Sequence, residues 1–334
     1  MAARRVEHHC VRCGRRVPRG FTAFCESCGG LIDVAYDLER ATLRDSPNPL
    51  ERFVDLLPIE RDAGWPPPWA PAYTPCLRAE KLGAWIGMPA LYLKDESVLP
   101  TGSTKDRMAV VALSFMRECD VQTFCTSSTG NSSTAFAYAS RWFPGTRIFL
   151  FTAEAFQPRV NHTAGAPVVH FVLRDATFVD AFACAATFAA RHKIPSERGF
   201  FNPGRREGLK LAFLEATEQV PGSVDWYVQA VSSAMGVYGT YKGARELLRL
   251  GRIPRVPRLL CVQQDTCAPM VRAFEDGSPV IRPGDIVERP TGIATAILRG
   301  DPSRAYPYVR EIVLESRGRF VAVAETEIRD ARRM

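Results

Sequence analysis

The sequence predicts an α/β protein in which parallel sheets are flanked by helices, preceded by a small cysteine-rich module. Two observations predict this fold: strand-like runs alternate with helical patterns from Leu91 onward, and two C-x2-C pairs stand near the N-terminus. Such alternation is typical of parallel sheets that are covered by helices on both sides. The chain has 334 residues, 46% of them apolar and 24% charged, which corresponds to about two globular domains.

The cysteine pairs predict a zinc ribbon over residues 1–36. Cys10 and Cys13 form one pair, Cys25 and Cys28 form the other, and eleven residues separate the pairs. Four thiolates suit a tetrahedral Zn²⁺ site, and a short segment without its own core gains folding free energy from the metal. A redox pair is the alternative interpretation. The neighbouring histidines, His8 and His9, offer an alternative ligand in place of a thiolate, but we expect them to be exposed.

A proline-rich connector is predicted over residues 37–73. Prolines are frequent from residue 44 to residue 75. Because proline disfavours the interior of a helix and the residue before it prefers an extended backbone, we expect no regular helix there. The connector is predicted to lie over the main body.

The predicted strands and helices follow in order after the connector. Two helices have apolar residues on one face, the first at Met108, Val111, Ala112, Phe115 and Met116, and the second at Phe178, Ala181, Phe182 and Ala185. The strands are predicted at Leu91–Leu93, Gln122–Thr126, Arg147–Phe151, Val168–Leu173, Trp226–Val231, Arg258–Val262 and Arg319–Val323.

Charge and hydropathy exclude several classes of protein. The net charge of +7 comes from 43 basic and 36 acidic residues, and the arginines are scattered rather than grouped in a basic stripe, so we expect no nucleic-acid partner. No apolar run reaches the ~20 residues of a membrane helix. Residues 1–9 lack the apolar stretch of a secretory signal. We therefore expect a cytoplasmic protein without a membrane partner.

One of the six lysines, Lys105, lies between a predicted strand and a predicted helix. Ser103 or Thr104 can cap that helix, and Asp106 suits its first turn. An amine at the positive end of the helix dipole loses its proton more readily, and a neutral amine is the nucleophile that forms a Schiff base. A capped helix start with a solvated lysine is the alternative.

Two further loops follow strands and open helices. They span residues 126–133 and 231–236, and both are rich in small and hydroxyl residues. Backbone N–H groups at such corners bind anions, and an open α/β sheet binds its ligand at the carboxyl ends of its strands. The two loops therefore predict a ligand site at the carboxyl ends of the strands.

Several motifs in this order resemble the pyridoxal-phosphate enzymes of fold type II, the tryptophan synthase β-like family, and within them threonine synthase. Many threonine synthases also begin with a cysteine-rich segment. The motifs are Thr74-Pro75-Cys76-Leu77, Leu93-Lys94-Asp95-Glu96, Pro100-Thr101-Gly102-Ser103-Thr104-Lys105-Asp106-Arg107, Ser128-Thr129-Gly130-Asn131, Asn202-Pro203 with Arg206-Glu207-Gly208, and Ile293-Ala294-Thr295-Ala296-Ile297.

The resemblance implies a homodimer with a two-domain fold and pyridoxal 5′-phosphate as cofactor. The larger, cofactor-binding domain would comprise residues 74–107 and 196–334, and the smaller domain residues 108–195. Lys105 would be the Schiff-base lysine and proton carrier, and Asn131 would contact the 3′-oxygen of the pyridine ring. The resemblance further assigns the substrate carboxylate to Ser128, Thr129 and Ser132, and the cofactor phosphate to Ser232, Ser233, Ala234, Met235 and Gly236. Arg107 and Lys94 would either attract an acidic leaving group or form structural ion pairs.

The implied activity is elimination or replacement at the β or γ carbon of a small amino acid, closest to threonine synthesis from O-phospho-L-homoserine. The alternatives are β-replacement or β-elimination on serine or phosphoserine, and a non-catalytic scaffold with the same fold. The residues Leu99, Thr104, Met108 and Gly204 depart from the family pattern. The phosphate loop has fewer glycines than the family's, and because Met235 resists a positive φ we expect altered phosphate geometry.

The C-terminal segment departs from the family as well. After Arg319–Val323 a short helix start follows, and no segment matches the family's last piece, which carries a Ser or Thr at the pyridine nitrogen. We expect a truncated or shortened chain that binds pyridoxal phosphate loosely and turns over poorly by itself. Full cofactor occupancy with vigorous activity in the lone polypeptide would refute this expectation.

Overall fold

The computed structural model describes residues 6–59, 65, 67, 73–161 and 166–333. Its strands are β1 (Val6–Cys10), β2 (Arg16–Val17), β3 (Ile32–Tyr36), β4 (Cys76–Arg78), β5 (Tyr92–Lys94), β6 (Thr123–Ser127), β7 (Arg147–Ala153), β8 (Val168–Leu173), β9 (Trp226–Ala230), β10 (Arg258–Gln264) and β11 (Arg319–Val323). Its α-helices are α1 (Pro49–Arg52), α2 (Glu80–Trp85), α3 (Lys105–Glu118), α4 (Asn131–Ser140), α5 (Phe178–His192), α6 (Pro203–Gln219), α7 (Met235–Arg249), α8 (Pro269–Glu275), α9 (Tyr306–Glu315) and α10 (Glu325–Arg333). Within these described ranges, no helix is long and apolar enough to cross a membrane.

The chain divides into two compact units. Unit 1 consists of Met1–Thr74 and Glu96–Leu211, and unit 2 of Pro75–Asp95 and Ala212–Met334. Unit 1 contains an antiparallel sheet in the order β2-β1-β3 and a parallel sheet in the order β6-β7-β8, and unit 2 contains a parallel sheet in the order β11-β10-β9. The predicted α/β class with parallel sheets is confirmed. The predicted domain boundaries stay a prediction, because compactness does not tell which segments bind a cofactor.

The first of the predicted strands pairs differently from the others. β5 forms an antiparallel pair with β4, with Leu77 opposite Leu93. The alternation of strands and helices predicts parallel pairing. This prediction was wrong for β5, because its partner β4 is only three residues long and carries no periodic signal of its own.

The expectation of no regular helix in the proline-rich stretch was also wrong. α1 begins at Pro49, where a missing N–H costs nothing, and the side chain of Asn48 accepts a hydrogen bond from the Leu50 N–H at 3.0 Å. Leu50 and Phe53 are buried, so this segment contributes to the core. The prolines at positions 66, 68 and 71 lie outside the described residues.

Helix α3 is the central helix of unit 1 and is buried on all sides from Asp106 to Met116. Helix α6 comes into backbone contact with it at two glycines. A Cβ on Gly204 would lie 2.7 Å from the Cα of Ala112, and one on Gly208 would lie 2.7 Å from the Arg107 carbonyl oxygen. These two positions therefore require glycine.

We expect Gly208→Ala to lower the free energy of unfolding by about 1–3 kcal/mol, because backbone atoms of α3 cannot move aside as a flexible side chain would. Helix propensity alone predicts the opposite sign, since alanine favours a helix interior over glycine by about 1 kcal/mol. Urea unfolding of both proteins measures the difference. Gly284→Ala is the matched control, because a Cβ there would meet nothing within 4 Å. Equal stability of Gly208→Ala and the wild type would contradict the close contact.

The cysteine module is attached to α6 by buried charged groups. Arg206 donates from Nη2 to the Ile32 carbonyl oxygen at 2.8 Å and to Asp33 Oδ1 at 3.0 Å. The Tyr36 hydroxyl donates to Glu207 at 2.6 Å, and Lys210 pairs with the same carboxylate. The side chains of Arg206, Glu207 and Lys210 on α6 are fully buried. The charge of each must therefore be compensated by its partner.

Candidate functional site

The four predicted metal ligands lie together in one cluster. Their sulfur atoms are all within 4.8 Å of one another, with Cys10 and Cys28 at 3.4 Å and Cys13 and Cys25 at 3.9 Å. Tetrahedral Zn–S bonds of about 2.3 Å require S···S distances of about 3.8 Å, so these sulfur atoms can hold a metal ion. All four cysteines are free thiols rather than disulfides.

Tight turns after each pair shape this cluster. The Gly14 N–H donates to the Cys10 carbonyl and the Gly29 N–H donates to the Cys25 carbonyl, at 2.9 and 2.8 Å, and both glycines have φ near +70°. Backbone N–H groups, above all that of Ser27, lower the pKa of the Cys25 thiol to about 7, which favours the metal-binding thiolate.

The expectation that both histidines are exposed was wrong for His8. Alternation along β1 directs Val6, His8 and Cys10 inward, and the His8 ring lies 5.7 Å from that of Phe115. His8 therefore packs in the interior of unit 1.

Lys105 is the first residue of α3 and is half-buried. The Ser103 hydroxyl accepts a hydrogen bond from the Lys105 N–H at 3.4 Å, and the Asp106 carboxylate accepts from the N–H and hydroxyl of Thr101 at 2.7 and 2.6 Å. Burial, followed by the positive charge of Arg205, lowers the pKa of the Lys105 amine to about 8. A neutral, nucleophilic amine is therefore accessible near physiological pH.

The loop between β6 and α4, together with the first turn of α4, carries four of the predicted site residues. Ser128 has its hydroxyl engaged inside the loop, where it accepts from the N–H groups of Gly130 at 3.2 Å and Ser133 at 3.4 Å. Gly130 has φ +140°, and a Cβ there would lie 2.9 Å from Arg159. Asn131 is exposed, and Thr129 and Ser132 are half-buried, so these three remain accessible at the start of α4.

Arg107 is buried in an ion pair. Its Nε donates to Glu96 at 2.7 Å, and its Nη2 donates to Glu96 and to the Thr74 hydroxyl, both at 3.0 Å. Burial alone would raise the pKa of Glu96, but Arg107 lowers it below its ordinary value. This geometry supports the structural interpretation of Arg107 that the sequence left open.

Lys94 is engaged in the same way in unit 2. Its Nζ donates to Glu215 at 2.8 Å and to the Gln219 side chain at 2.7 Å. The Glu215 carboxylate is fully buried, so the lysine is its charge partner. This contact also supports the structural interpretation.

A further arginine, which sequence reasoning missed, lies beside the predicted substrate residues. Arg205 is buried, pairs with the buried carboxylate of Glu197 through Nε and Nη2, and donates from Nη1 to the Ser132 hydroxyl at 3.2 Å. The only signal in the sequence is its position inside the segment that begins at Asn202-Pro203, one of the motifs that carry the resemblance.

The predicted phosphate loop lies in unit 2 between β9 and α7. Positive φ falls on Ala234 (φ 56°) rather than on Met235, which begins the helix, so the strain expected at Met235 is absent from that residue. Ala234 is the cap residue and has no side-chain acceptor to offer the first N–H groups of α7. A Cβ on Gly236 would lie 2.7 Å from the Gln229 side-chain amide, so a larger residue there would require the Gln229 side chain to shift.

Comparison with known proteins shows the family to which this chain is related. The family model "Pyridoxal-phosphate dependent enzyme" matches residues 70–334. A threonine synthase from Methanosarcina acetivorans is 31% identical over 96% of this chain and 78% of its own length, and a cysteate synthase from Methanospirillum hungatei is 25% identical over 96% and 78%. Among solved structures, a serine racemase from Dictyostelium discoideum shares the fold with a TM-score of 0.60 and 21% identity, over 78% of this chain and 78% of that one. The chain therefore belongs to the family of pyridoxal-phosphate-dependent enzymes.

Proposed function

We propose that this chain catalyses elimination or replacement at the β or γ carbon of a small amino acid, with pyridoxal phosphate as cofactor. The observation that carries the proposal is the Lys105 amine, half-buried at the start of α3 with a pKa of about 8, in the same unit as the β6–α4 loop. That combination supplies a nucleophilic nitrogen and a group that can accept and return a proton.

Within each unit, the residues assigned to this cofactor have suitable chemistry. Lys105 would hold its aldehyde carbon, Asn131 its ring oxygen, and the loop Ser232–Gly236 its phosphate. The open N–H groups at the start of the 15-residue helix α7 suit a phosphate, because a helix N-terminus attracts anions. When bound, the cofactor acts as an electron sink for the negative charge that develops at the α carbon of the substrate.

The chain's own residues orient the amino acid and move protons. Thr129 and Ser132 lie at the start of α4, and their hydroxyls are suited to hold the substrate carboxylate. The Ser128 hydroxyl, which the resemblance assigns to the same task, fixes the loop from inside. Lys105 would take up and return the proton of the substrate's α carbon, and the lowered pKa of its amine suits that exchange.

Threonine formation from O-phospho-L-homoserine is the reference reaction, because two of the relatives with near full-length matches are threonine synthases. β-Elimination or β-replacement on a serine-type amino acid is the second candidate. One observation favours it: the guanidinium groups of Arg107 and Arg205 are paired with the carboxylates of Glu96 and Glu197 rather than open to a phosphate.

Reconstitution with pyridoxal phosphate tests the proposal against a non-catalytic scaffold. We expect a yellow protein whose absorbance band is removed by hydroxylamine and shifts when the correct amino acid binds. A colourless protein after reconstitution, or a coloured one whose band responds to no amino acid, would contradict it.

The pH dependence of cofactor attachment is a second test. Below pH 8 the Lys105 amine is mostly protonated and cannot attack an aldehyde, whereas above it the neutral form dominates. We expect the initial rate of attachment to rise between about pH 7 and 9, with a midpoint near 8, whereas an ordinary lysine has its midpoint near 10.4. Stopped-flow absorbance of cofactor-free protein mixed with pyridoxal phosphate measures the rate. A midpoint near 10 would contradict the assigned lysine.

A further inference from the structure

The side-chain carboxamide of Gln229 lies against the start of helix α7. A Cβ on Gly236 would be 2.7 Å from Gln229 Nε2 and 2.8 Å from Gln229 Oε1, so the carboxamide fills the space that a side chain at position 236 would need. Gly236 is the second residue of α7 and belongs to the loop Ser232–Gly236, which we assign to the cofactor phosphate. Gln229 thus brings a polar group from strand β9 to the proposed phosphate site.

Hydrogen bonding engages one end of this carboxamide. The Tyr227 hydroxyl donates to Gln229 Oε1 at 3.0 Å, and the Tyr227 ring packs edge-on against Phe213 with its centroid 6.0 Å away. The Nε2 amino group, which can only donate, has no hydrogen-bond partner among the described residues. The donor end of the carboxamide is therefore the end that remains for a ligand.

The loop beside this carboxamide offers neutral donors and no cation. All five of its residues, from Ser232 to Gly236, are uncharged. Ala234 is the cap residue and makes no side-chain hydrogen bond to the first N–H groups of α7, and those groups have no acceptor within the helix. A phosphate here depends on hydrogen bonds from neutral donors, and one such bond to a charged oxygen strengthens binding by about tenfold or more.

We propose that Gln229 is a cofactor-binding residue that donates a hydrogen bond from Nε2 to the phosphate held by the loop Ser232–Gly236. Tyr227 orients the carboxamide by occupying its acceptor end and does not itself touch the phosphate. The inference rests on the proposed function and deepens it, because it adds a side-chain donor to a loop in which glycines are few.

Pyridoxamine 5′-phosphate tests this role in the cofactor-free protein. It carries no aldehyde and cannot react with Lys105, so its dissociation constant, measured by calorimetry, reports on non-covalent contacts alone. We expect Gln229→Leu to weaken its binding at least about tenfold. The rate at which pyridoxal, which lacks the phosphate, attaches to Lys105 should change by less than about threefold. Unchanged binding of pyridoxamine 5′-phosphate in Gln229→Leu would overturn the inference.

Gln229→Glu separates donation from packing. It keeps the shape of the side chain and the acceptor for the Tyr227 hydroxyl, but it places a carboxylate oxygen where the donor was. We expect it to weaken binding of pyridoxamine 5′-phosphate more than Gln229→Leu does, because two anions then face each other. A purely structural role of Gln229 predicts the reverse order, and finding that order would overturn the inference. Gln122→Leu is the matched control and should leave binding unchanged, because Gln122 is exposed and precedes β6 at the amino end of the sheet in unit 1.

Tyr227→Phe completes the test as a double-mutant cycle. Loss of the hydroxyl releases the carboxamide, so we expect pyridoxamine 5′-phosphate to bind at least about threefold more weakly in the wild-type background but equally well in the Gln229→Leu background. Equal losses in the two backgrounds would overturn the inference. If the Gln229 variants do not fold, unchanged binding in Tyr227→Phe alone would overturn it. If pyridoxal phosphate never attaches to Lys105, the proposed function fails, yet this cycle still decides the role of Gln229.

Discussion

Replacing Lys105 with alanine is expected to abolish covalent attachment of pyridoxal phosphate while the protein remains folded. The amine supplies the only nitrogen that we assign to the cofactor aldehyde, whereas the side chain is half-buried at the first position of α3. The backbone hydrogen bonds of α3 remain, so the free energy of unfolding should change by less than about 1 kcal/mol. Borohydride reduction followed by peptide mass spectrometry measures the attachment.

Two further variants control this experiment. Lys81 is exposed on α2, so Lys81→Ala should keep full attachment. Asn131→Ala should also keep it but shift the absorbance band, because Asn131 is assigned to the ring oxygen. A reduced phosphopyridoxyl-lysine peptide from the Lys105→Ala protein would identify another lysine as the nucleophile and refute the assignment.

Removing the metal is expected to have the second large effect. We propose one zinc ion per chain, bound by Cys10, Cys13, Cys25 and Cys28 in a closed structural site. Zinc binding contributes about 10–16 kcal/mol to the folding of isolated zinc-finger peptides, so its loss should unfold the cysteine module. Strand β3 would then no longer compensate the charge of Arg206, and an uncompensated buried charge costs about 3–5 kcal/mol. Glu207 would keep Lys210 as its charge partner and lose the hydrogen bond from the Tyr36 hydroxyl.

We therefore expect Cys25→Ser, or treatment with a strong chelator, to lower the melting temperature of unit 1 as well as to release zinc. Elemental analysis of protein purified without chelator gives the stoichiometry, and thermal unfolding gives the stability. Cys184→Ser on α5 is the matched control, since that half-buried cysteine lies outside the cluster. Absence of zinc, or a disulfide between these cysteines, would disprove the site.

Local patterns allowed much of the fold to be predicted from the sequence. The bounds of β8 and β11 agree with the prediction, because both are short apolar runs between clear turn signals. The cysteine cluster and the position of Lys105 were predictable for a similar reason. Each of these two features has a local signal in the sequence. For the cluster it is the two C-x2-C pairs, and for Lys105 it is a helix start with capping residues beside it.

Features that depend on long-range packing could not be predicted in this way. The apolar face of α3 was recognised, but its burial on all sides was not, because α6 is about 90 residues away and its two glycines carry no periodic signal. Arg107 also donates a hydrogen bond to the hydroxyl of Thr74, which lies thirty-three residues away in the sequence. Ion pairs of this kind are set by the folded geometry, and only the alternative interpretations could be stated beforehand.

The two glycines of α6 constrain what changes in length this helix can accept. Gly204 and Gly208 are four residues apart, so both face α3, and Arg205 directly follows the first of them. Each residue of an α-helix adds a rotation of about 100°. A single insertion between them would therefore turn one glycine away, place a side chain against the α3 backbone and displace Arg205 from Ser132. Along this stretch, α6 can vary in composition on its other faces but not in length.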